Sequence, residues 1–140
     1  MIVLDTNVVS EPMKTNGNPA VLAWLDRQVA ETLYLTSTSL AELLVGIEIL
    51  PDGKRKDGLG AALVELVEVL FAGRILPFDA AAATHYGPII GRARTAGCAI
   101  SVGDGQIAAI AAAHGFKVAA RDTAPFIAAG VEVIEPWSAS

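Results

Sequence analysis

Apolar runs of three or four residues alternate with longer amphipathic stretches along the whole chain. M-I-V-L begins the pattern and predicts a short buried strand over residues 1–4, stopped by Asp5. N-P-A-V-L-A-W-L-D-R-Q-V predicts a helix with Asn18 as N-cap, Pro19 in the first turn, and an apolar face of Val21, Leu22, Trp24 and Leu25. T-L-Y-L-T predicts a second strand over 32–36, rich in strand-forming types. Ser37, Thr38 or Ser39 can then cap a helix through L-A-E-L-L-V-G-I-E-I-L. P-D-G-K-R-K-D-G is the one strongly polar break and predicts a surface turn, whose K-R-K could also contact a polyanion.

A helical pattern resumes from about Leu59 to Phe71. R-I-L-P-F-D predicts an extended piece ended by Pro77, with Asp79 placed to cap the next helix. That helix runs from Ala80 to about Gly97, with Gly87-Pro88 as a point of interruption. An Ala-rich helix follows A-I-S-V-G-D and ends at His114-Gly115, the glycine serving as C-cap. K-V-A-A is a strand, D-T-A-P-F-I-A-A-G a short helix, and V-E-V-I a last strand. Short apolar strands alternating with amphipathic helices imply an α/β fold: three layers, α/β/α, around a central, mainly parallel sheet. One domain over 1–140 is expected, since neither a repeat nor a linker interrupts the pattern.

Composition and the chain's start add four constraints. Apolar types make up 53% of the chain and charged types 18%, so little disorder and an apolar partner surface are expected. The lone Cys98 excludes an intrachain disulfide and fits a reducing compartment. The start lacks a basic leader and the longest charge-poor stretch is too short to span a bilayer, so a cytoplasmic protein is expected. The net charge of −5 argues against a self-sufficient DNA-binding protein, but not against an enzyme that acts on nucleic acid.

Four acids change the picture. Ligands of parallel α/β sheets collect at the carboxyl ends of strands. Asp5 ends the first strand, Asp122 follows the K-V-A-A strand, Asp104 stands at a helix start, and Glu42 lies early in the helix after the second strand. Gathered together, four carboxylates repel unless protons or a divalent cation neutralise them, and oxygen ligands suit Mg²⁺ or Mn²⁺. Each acid also has a simpler reading: Asp104 as a helix cap, Glu42 as half of a capping box with Thr38 or Ser39, Asp122 as a turn residue. Asp5 resists that reading best, because Asp is depleted in strands and this one directly ends an apolar run.

Four blocks add a family resemblance. M-I-V-L-D-T-N-V-V-S-E, T-S-T-S-L-A-E-L-L-V-G-I, A-I-S-V-G-D-G-Q-I-A-A-I-A-A-A-H-G and K-V-A-A-R-D-T-A-P-F occur in that order, followed by G-V-E-V-I-E-P-W. In this order they resemble the PIN-domain ribonucleases, in particular the VapC-like toxins of bacterial toxin–antitoxin pairs. R-I-L-P-F-D and the K-R-K turn are similar to the FitB-type subgroup, described with its antitoxin as a DNA-binding regulator. The resemblance covers essentially the whole chain. It implies a PIN-like fold and an acidic site of Asp5, Glu42, Asp104 and Asp122. Asp5 and Asp104 would hold Mg²⁺ (or Mn²⁺) directly, with Glu42 and Asp122 completing the site directly or through water. Thr6 or Asn7 could donate to a carboxylate or phosphate, and Arg121 could contact a substrate phosphate. The rival reading of Arg121 is a surface ion pair.

The chain departs from the family twice. Ala120-Arg121-Asp122 stands where many relatives have Thr-Arg-Asn, and Pro125 stands where many have Asp. The first change makes the site more negative and removes a hydroxyl.

The implied activity is hydrolysis of an RNA phosphodiester by metal-activated water. The implied partners are a cognate VapB-like antitoxin, a second copy in a homodimer, and toxin–antitoxin hetero-oligomers that reach DNA only through the antitoxin, with no membrane. V-L-A-W-L and the helix around L-A-E-L-L-V-G-I are the candidate partner surfaces. Two other readings stay open. One is a weakly active or inactive PIN module working mainly in an antitoxin-mediated DNA-binding complex. The other is a metal phosphatase or DNA nuclease on a similar sheet.

Overall fold

The structure, a computed structural model, describes residues 1–138; the last two positions of the expected domain, 139–140, lie outside the described residues. Five parallel strands form one sheet: β1 (Ile2–Leu4), β2 (Leu33–Thr36), β3 (Ile75–Leu76), β4 (Lys117–Ala119) and β5 (Val133–Ile134), in the order β3-β2-β1-β4-β5. Seven α-helices connect and cover them: α1 (Thr6–Ser10), α2 (Pro19–Asp26), α3 (Ser37–Glu48), α4 (Lys54–Glu65), α5 (Ala80–Thr95), α6 (Val102–His114) and α7 (Ala124–Ala128). The three-layer α/β expectation therefore holds, with a sheet that is wholly parallel. Among the described residues no helix is long and apolar enough to cross a membrane.

Both faces of the sheet are covered, which is why its strands read as apolar runs. Successive strand residues point to opposite faces. Val3 packs with Ile107, Val118 and Phe126 beneath α5, α6 and α7. Leu4 packs with Val8, Trp24, Leu35, Leu43 and Leu63 beneath α1 to α4. Val21 is fully buried and Trp24 nearly so, so these two residues of V-L-A-W-L face the core, while Leu22 and Leu25 are half-buried and Ala23 is exposed. The outer side of α3 does expose Leu44, Val45 and Ile49.

β1 pairs with β2 on one side and β4 on the other, and the chain progresses outward in opposite senses from that point. This is a topological switch point, where the connections diverge and leave a crevice beyond the strand ends. Leu4 is in register with Ala119, and the Asp5 N–H donates to the Ala119 carbonyl at 2.9 Å.

Several local features differ from the sequence reading. α1 starts immediately after β1, because Asp5 caps it and Val8 and Val9 are buried; a helix of five residues is too short to show a period. A 3-10 turn, Glu11–Met13, extends it. α4 begins at Lys54, inside the stretch predicted to be a turn. The turn itself shrinks to 51–53, with Gly53 in an extended, positive-φ conformation (φ 150°). Lys56 closes it by donating to the Glu48 carbonyl at 3.0 Å. α4 then widens into a π-helical turn over Leu66–Leu70, in which the N–H of the buried Phe71 bonds the Leu66 carbonyl at 2.8 Å. Gly87-Pro88 does not interrupt α5: Pro88 and Thr84, whose carbonyl loses its donor, both lie on the solvent side. α3 is capped by Thr36, whose hydroxyl accepts from the Ser39 N–H at 3.0 Å, and not by Ser37, Thr38 or Ser39. Asn18, Asp79 and Gly115 cap as expected.

α5 and α6 pack tightly because Gly105 carries no side chain; a Cβ there would lie 2.9 Å from Tyr86 Cε2 and 3.1 Å from Ile90 Cδ1. Gly105→Ala should therefore destabilise the fold by about 1–3 kcal/mol, despite alanine's better helix propensity. Urea denaturation would check this; a gain in stability would show that Tyr86 moves aside freely.

Candidate metal centre

The crevice at the switch point receives side chains from four elements. Asp5 is buried, 7% exposed, and its carboxylate accepts from the Thr6 N–H at 2.8 Å. It thus both caps α1 and faces the crevice. Asp104 lies in the first turn of α6 but does not cap it: Ser101 does, its hydroxyl accepting from the Asp104 N–H at 3.1 Å. The Asp104 carboxylate is left free of the helix start. Asp122 is exposed just past β4, and its Oδ1 accepts from the Ala124 N–H at 3.3 Å. Glu42 sits in the second turn of α3, beyond the reach of a capping box once Thr36 is the cap. Its Oε1 accepts from the Thr6 hydroxyl at 3.3 Å and stands 3.4 Å from where a Cβ on Gly103 would lie. The bare backbone of α6 thus gives Glu42 its place beside the Asp104 turn.

The charges of the other three acids bear on Asp5. Burial pushes the Asp5 carboxyl up to about 6, opposed by the Thr6 N–H and reinforced by the charges of Asp104, Glu42 and Asp122. Burial also raises Asp104, with the Ser101 hydrogen bond opposing and the Asp122 charge adding to it. Among the described residues, no three His, Cys, Asp or Glu side chains already converge as a ready ligand group. The donor chemistry nonetheless fits a hard divalent cation: oxygen only, partly desolvated, and carrying repulsion that a cation would relieve.

The sequence marks Thr6 as a donor to a carboxylate, and Thr6 does donate to Glu42, but sequence reasoning missed the supporting hydroxyls of Ser39 and Thr38. Thr6 also donates to Ser39, which is fully buried, at 3.0 Å. Thr38 donates to Gln106 Oε1 at 3.0 Å and ties α3 to α6. The S-T-S run is the available signal, but in sequence it reads only as a choice of caps. Glu11 was missed as well. Its buried carboxylate accepts from the Asn18 N–H at 2.9 Å and has Lys14 Nζ at 3.0 Å; the Asn18 N–H chiefly holds its pKa low. Gly17 makes that loop closure possible, since a Cβ would lie 2.7 Å from the Glu11 carbonyl.

Other candidates fall outside the acidic group. The exposed Asn7 is not hydrogen-bonded to the acids among the described residues. Arg121 makes no surface ion pair among the described residues, and its guanidinium lies over the Trp137 ring, 5.3 Å from the centroid.

The PIN domain profile matches residues 2–131. The chain belongs to the PIN domain family. A PIN relative from Sinorhizobium fredii, named VapC ribonuclease Y4jK, is 50% identical over 137 residues, covering 98% of both chains. Toxin FitB of Neisseria gonorrhoeae is 47% identical over 137 residues, covering 98% of this chain and 99% of that one. The structure of FitAB bound to an IR36 DNA fragment superposes with a TM-score of 0.93 at 46% identity, over 98% of this chain and 96% of that one.

The raised Asp5 carboxyl gives this PIN domain a pH signature. A folded value of about 6 against an ordinary 3.8 favours the folded state fully below pH 3.8, and that contribution is lost as pH rises through 6. Asp5→Asn keeps an acceptor for Thr6 and removes the charge. In EDTA at pH 7.5 it should stabilise the protein by about 2–3 kcal/mol, with the gain vanishing towards pH 4. Urea melts across that range test this, and equal stability of the two proteins at pH 7.5 would refute it.

Proposed function

We propose that this PIN domain is a Mg²⁺-dependent endoribonuclease toxin of a toxin–antitoxin pair. The observation that carries the reading is the placing of four carboxylates from separate elements at the mouth of the β1–β4 crevice, where the charges of Asp104, Glu42 and Asp122 all bear on the buried Asp5. A fold does not retain such a cost for stability, and divalent cation binding is the chemistry that offsets it. The names of the relatives, VapC ribonuclease and Toxin FitB, support the substrate and the biological role.

In this reading Asp5 and Asp104 hold the ion, and Glu42 and Asp122 complete the site directly or through water. Mn²⁺ can replace Mg²⁺. Once bound, the ion supplies positive charge for the phosphoryl oxygens and acidifies water. Glu42, fixed by the Thr6 hydroxyl, accepts the proton of the attacking water. The P–O3′ bond breaks and the departing O3′ takes a proton from solvent, leaving a 5′-phosphate and a 3′-hydroxyl, and the ribose 2′-hydroxyl takes no part. Arg121 stands at the strand end beside Asp122, where it can meet a neighbouring phosphate.

The expected partner is a VapB-like antitoxin in the cytoplasm, with a toxin homodimer and hetero-oligomers that bind DNA through the antitoxin. The FitAB–DNA likeness supports this assembly, and the exposed Leu44, Val45 and Ile49 of α3 supply apolar surface for a protein partner. The second reading, a weakly active module in a DNA-bound regulatory complex, draws on the lack of a ready-made ligand group among the described residues and on Ala120 in place of a hydroxyl.

Asp104→Asn separates the two. It should lower Mg²⁺-dependent cleavage of RNA at least 100-fold, about the effect of removing one major transition-state interaction, and abolish growth arrest when the toxin is expressed alone. EDTA should do the same in vitro, and Mn²⁺ should restore the wild type. Growth arrest by a folded Asp104→Asn protein would refute the nuclease reading, as would a preference for small phosphomonoesters over RNA.

A further inference from the structure

A groove of about 770 Å³ reaches one of the four acids, Glu42, which lines it together with Thr6. One wall is α3, the other is the start of α4, and the 3-10 turn after α1 closes the third side. Its cations stand on two rims: Lys14 beside the 3-10 turn, and Lys54 with Arg55 on the first turn of α4. Lys14 is partly occupied by Glu11, at 3.0 Å. Lys54 and Arg55 form no ion pair among the described residues, whereas their neighbour Lys56 is tied to Asp52 and the Glu48 carbonyl. The K-R-K stretch therefore divides its labour: one lysine closes a turn, and two free cations face the groove.

Two glycines stand on the groove walls. Gly46 on α3 and Gly58 on α4 both line it, and a Cβ at either would meet nothing within 4 Å. Helix-interior glycine costs roughly 1 kcal/mol relative to alanine, and here no close contact demands it. The empty space itself is what the two residues supply.

An acidic protein with an acidic cleft must still bring in a polyanion, and local cations beside the cleft are the physical means. We propose that this groove is the track for single-stranded RNA flanking the cleaved bond, with Lys54 and Arg55 contacting its phosphates and Gly46 and Gly58 providing its width. The assignment rests on the endoribonuclease reading and deepens it by naming where the substrate strand runs. Continuity with Thr6 and Glu42 favours RNA over a protein segment, because a strand held at the acids must leave along a path that opens there. The apolar floor, including Leu43 and Ile47, lies beneath the bases without an aromatic platform among the groove-lining residues, so shape rather than stacking would select the strand.

The test measures binding of a fluorescent, single-stranded RNA to the full chain in EDTA, where cutting is suppressed. Lys54→Ala/Arg55→Ala should weaken binding about 10-fold and reduce the slope of log K against log salt by roughly 1.4, near 0.7 for each phosphate no longer neutralised. Gly58→Leu should weaken binding by filling the groove while the melting temperature does not fall. Lys117→Glu, at the amino end of β4 and outside the groove, should bind as the wild type does. RNA affinity unchanged in both groove variants would overturn the proposal. So would loss of antitoxin assembly with RNA binding intact, which would make the groove a protein site. The nuclease reading fails separately: if the wild type cuts no RNA with Mg²⁺ or Mn²⁺ but the groove variants still lose RNA affinity, the track stands without the cleavage.

Discussion

The hydrogen bond from the Asp5 N–H to the Ala119 carbonyl, the last between β1 and β4, is the constraint on which the arrangement of this molecule depends. It fixes the two strands at the level where both chains leave the sheet. Beyond it β1 turns at once into α1, and β4 continues through Ala120 and Arg121 to Asp122. Because strand order diverges on the two sides of this pair, no connection crosses the gap. The backbone thus holds two acids at the lip of an opening before any side-chain interaction is considered. α3 and α6 then bring Glu42 and Asp104 to the same opening from the two sides of the sheet, joined by the Thr38–Gln106 bond.

Electrostatics runs against this geometry. Burial and three neighbouring charges oppose the ionised form of Asp5, while a single peptide N–H favours it. The hydroxyls of Thr6 and Ser39 do not neutralise the charge; they restrict where the Glu42 carboxylate can go. The site is therefore positioned by neutral groups and left charged, which is the arrangement expected where the missing counter-charge comes from outside the chain.

Much of this was legible in the sequence. The strand–helix alternation, the caps at Asn18, Asp79 and Gly115, and the placing of the four acids at strand ends and helix starts all follow from local pattern. Features that depend on contacts distant in sequence were not legible. Thr36 caps α3 from the end of a strand, a role hidden because three better-looking candidates follow it. α1 is set by one carboxylate and two buried valines, too little for periodicity to register. Helix takes over residues 54–58 of the polar stretch, where Lys56 closes the preceding 51–53 turn on a carbonyl of α3, and no composition rule anticipates that bond. Glu11 and Gly17 form a closure whose meaning appears only when the loop is folded back.

Asp5 and Asp104 stand in similar surroundings yet differ in what else they must do. Asp5 starts a helix with the same oxygen atoms that face the opening. Asp104 has been relieved of that duty by Ser101, three residues earlier. Substitutions at the two positions therefore carry different information. A change at Asp104 alters charge while the start of α6 keeps its cap, so its effects can be interpreted as electrostatic. A change at Asp5 that removes the acceptor for the Thr6 N–H also alters how the chain leaves β1, so only a replacement that keeps that acceptor isolates the charge.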